Sequence, residues 1–117
     1  MSHLLSRLLK CVALAAGVVV ALPLLAQDYP NRPVRLIVPY PVGGASDITA
    51  RLIADKLSRK WGQSVIVENK AGANGIIGTA EIAKAAPDGY TIGLVASSHV
   101  GNPFSYKSIP FDTLNDL

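Results

Sequence analysis

The alternation of short β-branched runs with segments of helical period constrains the fold of this chain most. Residues 34–38 are nearly all aliphatic, which predicts a strand covered on both faces. A helix is predicted from about residue 46 to 61, with Ser46 or Asp47 as its N-cap and Gly62 as its stop. Its buried stripe should consist of Ala50, Ile53, Ala54, Leu57 and Trp61.

The remainder of the chain continues the same alternation. Val65-Ile66-Val67 predicts strand two, residues 76–86 predict helix two, and residues 91–96 predict strand three. No strong period is visible from Asn102 to Leu117. The order β-α-β-α-β with short links predicts an α/β fold: a three-layer parallel sheet with right-handed crossovers.

Three polar or glycine-bearing loops, residues 39–47, 69–75 and 97–102, follow the three predicted strands. Because the carboxyl ends of parallel strands meet at one edge of a sheet, we expect these loops to lie together there. Ligands of open α/β sheets bind at this edge, so the loops are the predicted binding site.

The first loop has the features of an anion site. It places Gly43, Gly44, Ser46 and Asp47 between a strand and a helix, where backbone N–H groups and the positive end of the helix converge. It has neither the G-x-x-x-x-G-K-[ST] pattern of a P-loop nor the G-x-G-x-x-G dinucleotide fingerprint. Since the loop contains no Lys or Arg, binding would depend on backbone and hydroxyl donors. A tight turn that simply needs flexible glycines is the alternative.

Each polar residue at this edge has more than one interpretation. Asp47 could be a general base, an acceptor for a ligand amine, or only a helix cap. Ser97 and Ser98 could bind a ligand or satisfy the end of strand three. An α/β enzyme acting on an anionic substrate would rest on His99 and Asp47, but His99 has no acid or nucleophile near it in sequence. We predict no catalytic residues and no cofactor. We also predict no metal site, since no cluster has metal-ligand spacing.

The first 26 residues have the layout of a secretory signal peptide. Arg7 and Lys10 precede an uncharged run from Cys11 to Leu25, and Ala26 offers a small residue for cleavage. The run of 15 residues is short for a membrane span, which needs about 20. Residues 27–117 are then the mature, exported chain, and an uncleaved anchor is the alternative.

Removing this segment changes the charge and the cysteine content. Of 11 basic residues two lie in the segment, and all eight acidic residues lie outside it, so the mature chain carries +1. With no basic patch, we predict no nucleic-acid binding. Cys11, the only cysteine, also lies in the segment, so the mature chain has no disulfide or thiol chemistry.

Several motifs together match one known family. The chain carries DYPNRPVRLIVPYPVGG at 28–44 with Ser46-Asp47 close behind, VENK at 67–70, NGIIG at 74–78 and AKAAPDGYT at 83–91. Residues 28–117 closely resemble the start of the Bug-type (TctC-like) receptors, the periplasmic substrate-binding proteins of tripartite tricarboxylate transporters. The resemblance implies a type II periplasmic binding protein that closes on a small carboxylate and delivers it to membrane transporter subunits.

The resemblance also implies which residues grip the ligand. The matching positions are Tyr40, Val42, Gly43, Gly44, Ala45, Ser46 and Asp47 in the first loop, Gly75 in the second, and Ser97 and Ser98 in the third. The family often has alanine and glycine where this chain has Val42 and Ala45, and either side chain could narrow the pocket.

The chain departs from the family in length. Family members run to roughly three hundred residues, as two ordinary domains require, so residues 27–117 are expected to be a partial N-terminal domain without the second lobe. A separate chain could supply that lobe. The rival interpretation is a truncated, non-functional remnant that binds nothing.

Overall fold

The computed structural model describes residues 28–117, and the predicted signal peptide lies outside the described residues. The strands are β1 (Val34–Val38), β2 (Val65–Asn69) and β3 (Thr91–Gly93). The helices are α1 (Ala45–Trp61), α2 (Ile76–Lys84) and α3 (Ser98–Ser105), with a 3-10 turn at Ala73–Gly75 before α2. No helix in the described part of the chain is long and apolar enough to cross a bilayer.

The sheet is parallel and has the strand order β2-β1-β3. The long apolar run of β1 explains its central place, because a middle strand is covered on both faces. Val34 pairs with Val65 at one end of the β1–β2 ladder and Val38 with Asn69 at the other. The predicted parallel β-α-β-α-β order is therefore confirmed.

Helices cover both faces of the sheet. Leu36 and Val38 of β1 form a core with Ala50 and Ala54 of α1. Successive side chains of a strand point to opposite faces, and on the other face Arg35 of β1 forms an ion pair with Glu81 of α2. The predicted three layers are thus α1, the sheet and α2.

Arg35 also ties the sheet together. Its guanidinium donates to Glu68 of β2 at 2.7 and 2.8 Å and to Glu81 at 2.7 Å. These hydrogen bonds raise the pKa of Arg35, with Glu68 the larger contributor, and Arg35 in turn lowers the pKa of Glu68. The Arg35 side chain, which is 40% exposed, is thus paired with two carboxylates, one on β2 and one on α2.

The structure corrects several details of the first helix. The predicted N-cap is wrong, because Gly44 occupies that position and Asp47 is the third helical residue. Gly62 ends the helix as predicted, with φ of 67° and its N–H bonded to the Ser58 carbonyl. Ile53 is 40% exposed, since the buried side of α1 is formed by Asp47, Ala50 and Ala54. Ala50 and Ala54 of the predicted stripe are buried, whereas Leu57 and Trp61 are only partly buried.

The region after β2 also differs in detail. Helix α2 ends at Lys84 and β3 at Gly93, both shorter than predicted. Residues 98–105 form helix α3 where a loop and an aperiodic segment were predicted. Pro103 concealed this helix because proline lacks the N–H that would bond to the carbonyl four residues before it. Tertiary contacts of the buried His99 and Asn102 hold the helix in place.

Candidate functional site

The loops that follow the three strands meet at one edge of the sheet, and Tyr40 joins them. Its hydroxyl lies 2.8 Å from Ser98 Oγ and accepts the Ala96 N–H at 2.9 Å. Its carbonyl accepts a hydrogen bond from Asn69 Nδ2 at 3.1 Å. One residue of the first loop therefore fixes the positions of the other two loops, and the predicted convergence is confirmed.

Gly75 of the second loop packs against the ring of Tyr40. A Cβ atom at this position would lie 3.2 Å from ring atoms, and the backbone has φ of +90°. Both facts favour glycine, because other residues are strained at positive φ. Gly75 thus lets the second loop approach the first.

Asn74 connects the second loop to α3. Its side-chain amide donates to Asn102 Oδ1 at 2.9 Å, and Asn102 Nδ2 donates to the Asn74 carbonyl at 3.2 Å. Asn102 is almost fully buried. Sequence reasoning missed Asn102 because a lone asparagine inside an aperiodic segment carries no signal of its partner.

The first loop presents backbone donors to solvent. Val42 is 69% exposed, and Gly43, Gly44 and Ala45 are also exposed. The first N–H groups of a helix have no carbonyl partner within it, and no side chain caps α1. The N–H groups of Ala45 and Ser46 are therefore left for a ligand or water. This arrangement suits an anion.

Asp47 is buried behind this loop. Its Oδ2 accepts the Gly43 N–H at 2.8 Å, Oδ1 accepts Asn69 Nδ2 at 3.0 Å, and Arg51 Nε lies 3.0 Å from Oδ1. The Gly43 N–H, followed by Arg51, lowers the pKa of Asp47 despite the opposing effect of burial. Asn69, which sequence reasoning did not single out as a site residue, is its partner across the loops.

The third loop is short, because α3 begins at Ser98. Ser98 contacts Tyr40 through its hydroxyl, whereas Ser97 is exposed at the N-cap position and makes no side-chain cap bond. Both serines lie at the predicted edge of the sheet.

His99 and Asp47 have different contact partners. The histidine stacks on Phe111 with ring centroids 5.8 Å apart, and its Nε2 is 3.2 Å from the Thr113 carbonyl. Within residues 28–117, no hydrogen bond joins His99 to Asp47, and no three His, Cys, Asp or Glu side chains come together as a metal site. These contacts do not assemble an acid–base pair.

A cavity of about 720 Å³ lies elsewhere. It is bounded by the end of α2, by β3 and by the last residues of the chain, and none of the predicted ligand residues lines it. The candidate site is instead an open surface at the edge of the sheet.

Comparison with known proteins gives consistent matches. Residues 49–117 match the profile of the tripartite tricarboxylate transporter family receptor. Protein BugT of Bordetella pertussis is 44% identical over 117 residues, which cover 97% of this chain and 36% of that protein. The chain therefore spans about a third of the length of this curated relative.

Solved structures agree in fold. The periplasmic binding protein BugD superposes with a TM-score of 0.72 at 41% identity, over 75% of this chain and 29% of that one. The Rpa4515 protein of R. palustris, determined with adipate, gives 0.70 at 39% identity, over 74% and 29%. The chain belongs to the tripartite tricarboxylate transporter receptor family, whose receptors resemble it in both sequence and fold.

Proposed function

We propose that residues 28–117 form one wall of a carboxylate-binding cleft in a periplasmic solute receptor that serves a tripartite tricarboxylate transporter. The observation that carries the proposal is the meeting of three loops around Tyr40 beside the unpaired N–H groups of α1. A related structure determined with adipate supports a carboxylate as the ligand class.

The proposed contacts divide into two kinds. Backbone N–H groups of Ala45 and Ser46 donate to a carboxylate oxygen, as helix N-termini do for anions. Val42, Gly43 and Gly44 shape the turn, and Gly75, Ser97 and Ser98 border it from the other loops. Residues 39–47 contain no basic side chain, so hydrogen-bond geometry would govern which carboxylate fits.

One wall alone should bind weakly. An anion loses its hydration on binding, and the loss is offset only when donors surround it. Relatives of about three times this length have additional polypeptide for a second wall. We therefore expect tight binding only when a second lobe, in the same chain or a separate one, faces these loops.

Titration of residues 27–117 with adipate, citrate and succinate tests the proposal. We expect dissociation constants of about 1 mM or weaker, measured by calorimetry, with NMR shifts at the amides of Gly43, Ala45, Ser46 and Gly75. Adipamide has the same chain length without the charges and serves as the control. Sub-micromolar binding would contradict the expectation that one wall binds weakly. Shifts confined to other residues would contradict the proposed location of the site.

Export follows from the same proposal. We infer that residues 1–26 direct the chain to the periplasm and are removed near Ala26, since their charge and hydropathy follow the signal-peptide pattern. Mass spectrometry of the protein released from the periplasm of an expressing cell should give the mass of residues 27–117. An intact N-terminus in the membrane fraction would favour an anchor.

The rival, a remnant without ligand binding, has its own supporting observation. Phe104 and Leu114 are 90% and 87% exposed and line an apolar groove of about 430 Å³. Exposed apolar surface favours association. If this rival is correct, the chain should sediment as a polydisperse aggregate, and no carboxylate should shift the amides of Gly43 to Ser46.

A further inference from the structure

Asp47 is the one carboxylate among the buried side chains of residues 28–117, at 2% exposure. A negative charge is an unexpected neighbour for an anion site, because like charges repel and a second carboxylate beside it would be disfavoured. Direct contact between Asp47 and a bound carboxylate is therefore unfavourable. The contacts of Asp47 point to a different role.

Those contacts form a closed network that gives both carboxylate oxygens of Asp47 donors from the protein. Gly43, Arg51 and Asn69 donate to the two carboxylate oxygens. Arg51 Nη2 also reaches Asn69 Oδ1 at 3.3 Å, which closes a ring of acid, amide and guanidinium. The ion pair with Arg51 cancels the charge of Asp47 locally, so the anion site is not opposed by it.

The network holds the turn that carries the ligand donors. Gly43 has φ of +84°, and the next residue, Gly44, is the N-cap of α1. Two consecutive glycines have wide backbone freedom and lose much entropy when they are ordered. The bond from the Gly43 N–H to Asp47 fixes this turn, and Asn69 binds both Asp47 and the Tyr40 carbonyl on its other side.

Resting on the function proposed above, we infer that Asp47 and Asn69 are positioning residues of the carboxylate site. With Arg51 they lock the Gly43–Gly44 turn in the conformation that presents the first N–H groups of α1, and they do not touch the ligand. The lock also fixes the second loop relative to the first, because Asn69 begins that loop.

Amide hydrogen exchange in the ligand-free chain tests the inference without depending on any ligand. In Asp47→Asn the Gly43 amide loses a charged acceptor, so its exchange should accelerate about tenfold or more. Asp55→Asn is the matched control, since Asp55 forms the same i,i+4 pair with Arg59 on an exposed face of α1. We expect less than a twofold change at Gly43 in the control.

A swap variant separates positioning from simple loss of structure. Asn69→Asp alone places two carboxylates together and should loosen the turn as Asp47→Asn does. Asp47→Asn combined with Asn69→Asp returns one carboxylate to Arg51 and leaves an amide oxygen as the Gly43 acceptor, so it should recover part of the Gly43 protection lost in Asp47→Asn. If either single variant does not fold, recovery of folding in the double variant gives the same support. Unchanged exchange at Gly43 in Asp47→Asn, or no recovery in the double variant, would overturn the inference.

Adipate titration of the same variants gives the functional readout. We expect Asp47→Asn to weaken the adipate response at least about threefold and the swap to restore part of it, with Asp55→Asn unaffected. Ile92→Val lowers stability by a core deletion away from the turn and should leave the response unchanged. If the unaltered chain shows no adipate response, the proposed function fails, whereas the exchange result still decides whether Asp47 and Asn69 lock the turn.

Discussion

The two halves of the described chain differ in how fully their buried polar groups are hydrogen-bonded. In the β1–α1–β2 half, the buried Asp47 has three donors and Arg35 has two carboxylate partners. In the half from β3 to the end, His99 Nδ1 and Thr113 Oγ1 are buried without a hydrogen-bond partner among residues 28–117. Phe104 and Leu114 in that half are largely exposed.

This difference indicates which contacts hold the proposed binding wall in place. Loop one and the start of loop two are joined by hydrogen bonds of Asp47 and Asn69, whereas loop three and α3 are held by bonds to Tyr40 and Asn74. We therefore expect substitutions in the first half to be costly and matched substitutions in the second half to be mild.

A core deletion should give the largest contrast. Leu36→Ala removes a side chain that is 3% exposed in the core between β1 and α1, so we expect a loss of about 3 kcal/mol in the free energy of unfolding. Leu114→Ala, at an 87% exposed site, should change it by less than about 0.5 kcal/mol. Urea unfolding of both variants measures the two changes in the free energy of unfolding. Equal losses would contradict the expected difference between the halves.

Glycine substitutions should give opposite signs where α2 packs against the first half and within α3. A Cβ on Gly78 would lie 2.8 Å from the Lys70 carbonyl and from Pro39 Cα, so Gly78→Ala should cost about 2 kcal/mol. Gly101 lies within α3 with nothing within 4 Å of an added Cβ. Gly101→Ala should stabilise the chain by about 0.5 kcal/mol through helix propensity. Thermal unfolding measures both, and a destabilised Gly101→Ala variant would contradict the assignment of α3.

Removing the Tyr40 hydroxyl should loosen the third loop. Tyr40→Phe leaves the Ala96 N–H without its acceptor and should cost about 1 kcal/mol. The Ala96 and Ser98 amides should exchange faster while the Gly43 amide is unchanged. Tyr106→Phe, at a partly exposed position, is the control and should alter neither stability nor exchange. Faster exchange at Gly43 would show that the loops are not fixed separately.

Acid should affect the first half through its paired carboxylates. The folded pKa values of Asp47 and Glu68 are lowered, chiefly by the Gly43 N–H and by Arg35. Each group therefore binds protons less readily when folded, and its stabilising contribution is present above its unfolded pKa of about 4. Between pH 7 and 5 we expect little change from these groups, and below about pH 4 the free energy of unfolding should fall.

One carboxylate variant in each half of the chain tests this pH effect. Asp47→Asn should flatten part of the acid slope, measured by urea unfolding at several pH values. In the second half, the pKa of Asp112 is lowered by the Asn115 amide and the Leu114 N–H. Asp112→Asn should flatten the slope too, without altering the Gly43 amide. If Asp47→Asn leaves the acid slope unchanged, the lowered pKa of Asp47 is wrong.

The sequence was sufficient for elements whose signal is local. The aliphatic run of β1 and the stop at Gly62 are properties of adjacent residues, and both predictions were confirmed. The edge of the sheet where the loops meet also followed from the order of elements, because parallel strands align their carboxyl ends. The family follows from motifs spread over residues 28–117.

Only the tertiary structure decided what the polar residues do. Asp47 could be a cap, a base or a ligand contact in the sequence. Its bond to Gly43 depends on the conformation of the turn, and its partner Asn69 became visible only when loops one and two were placed together. Helix α3 was hidden for a similar reason, because Pro103 weakens its local signal while Asn102 is held by Asn74, 28 residues away. Local patterns fix where strands and helices form, whereas a buried polar group takes its role from donors and acceptors that folding brings to it.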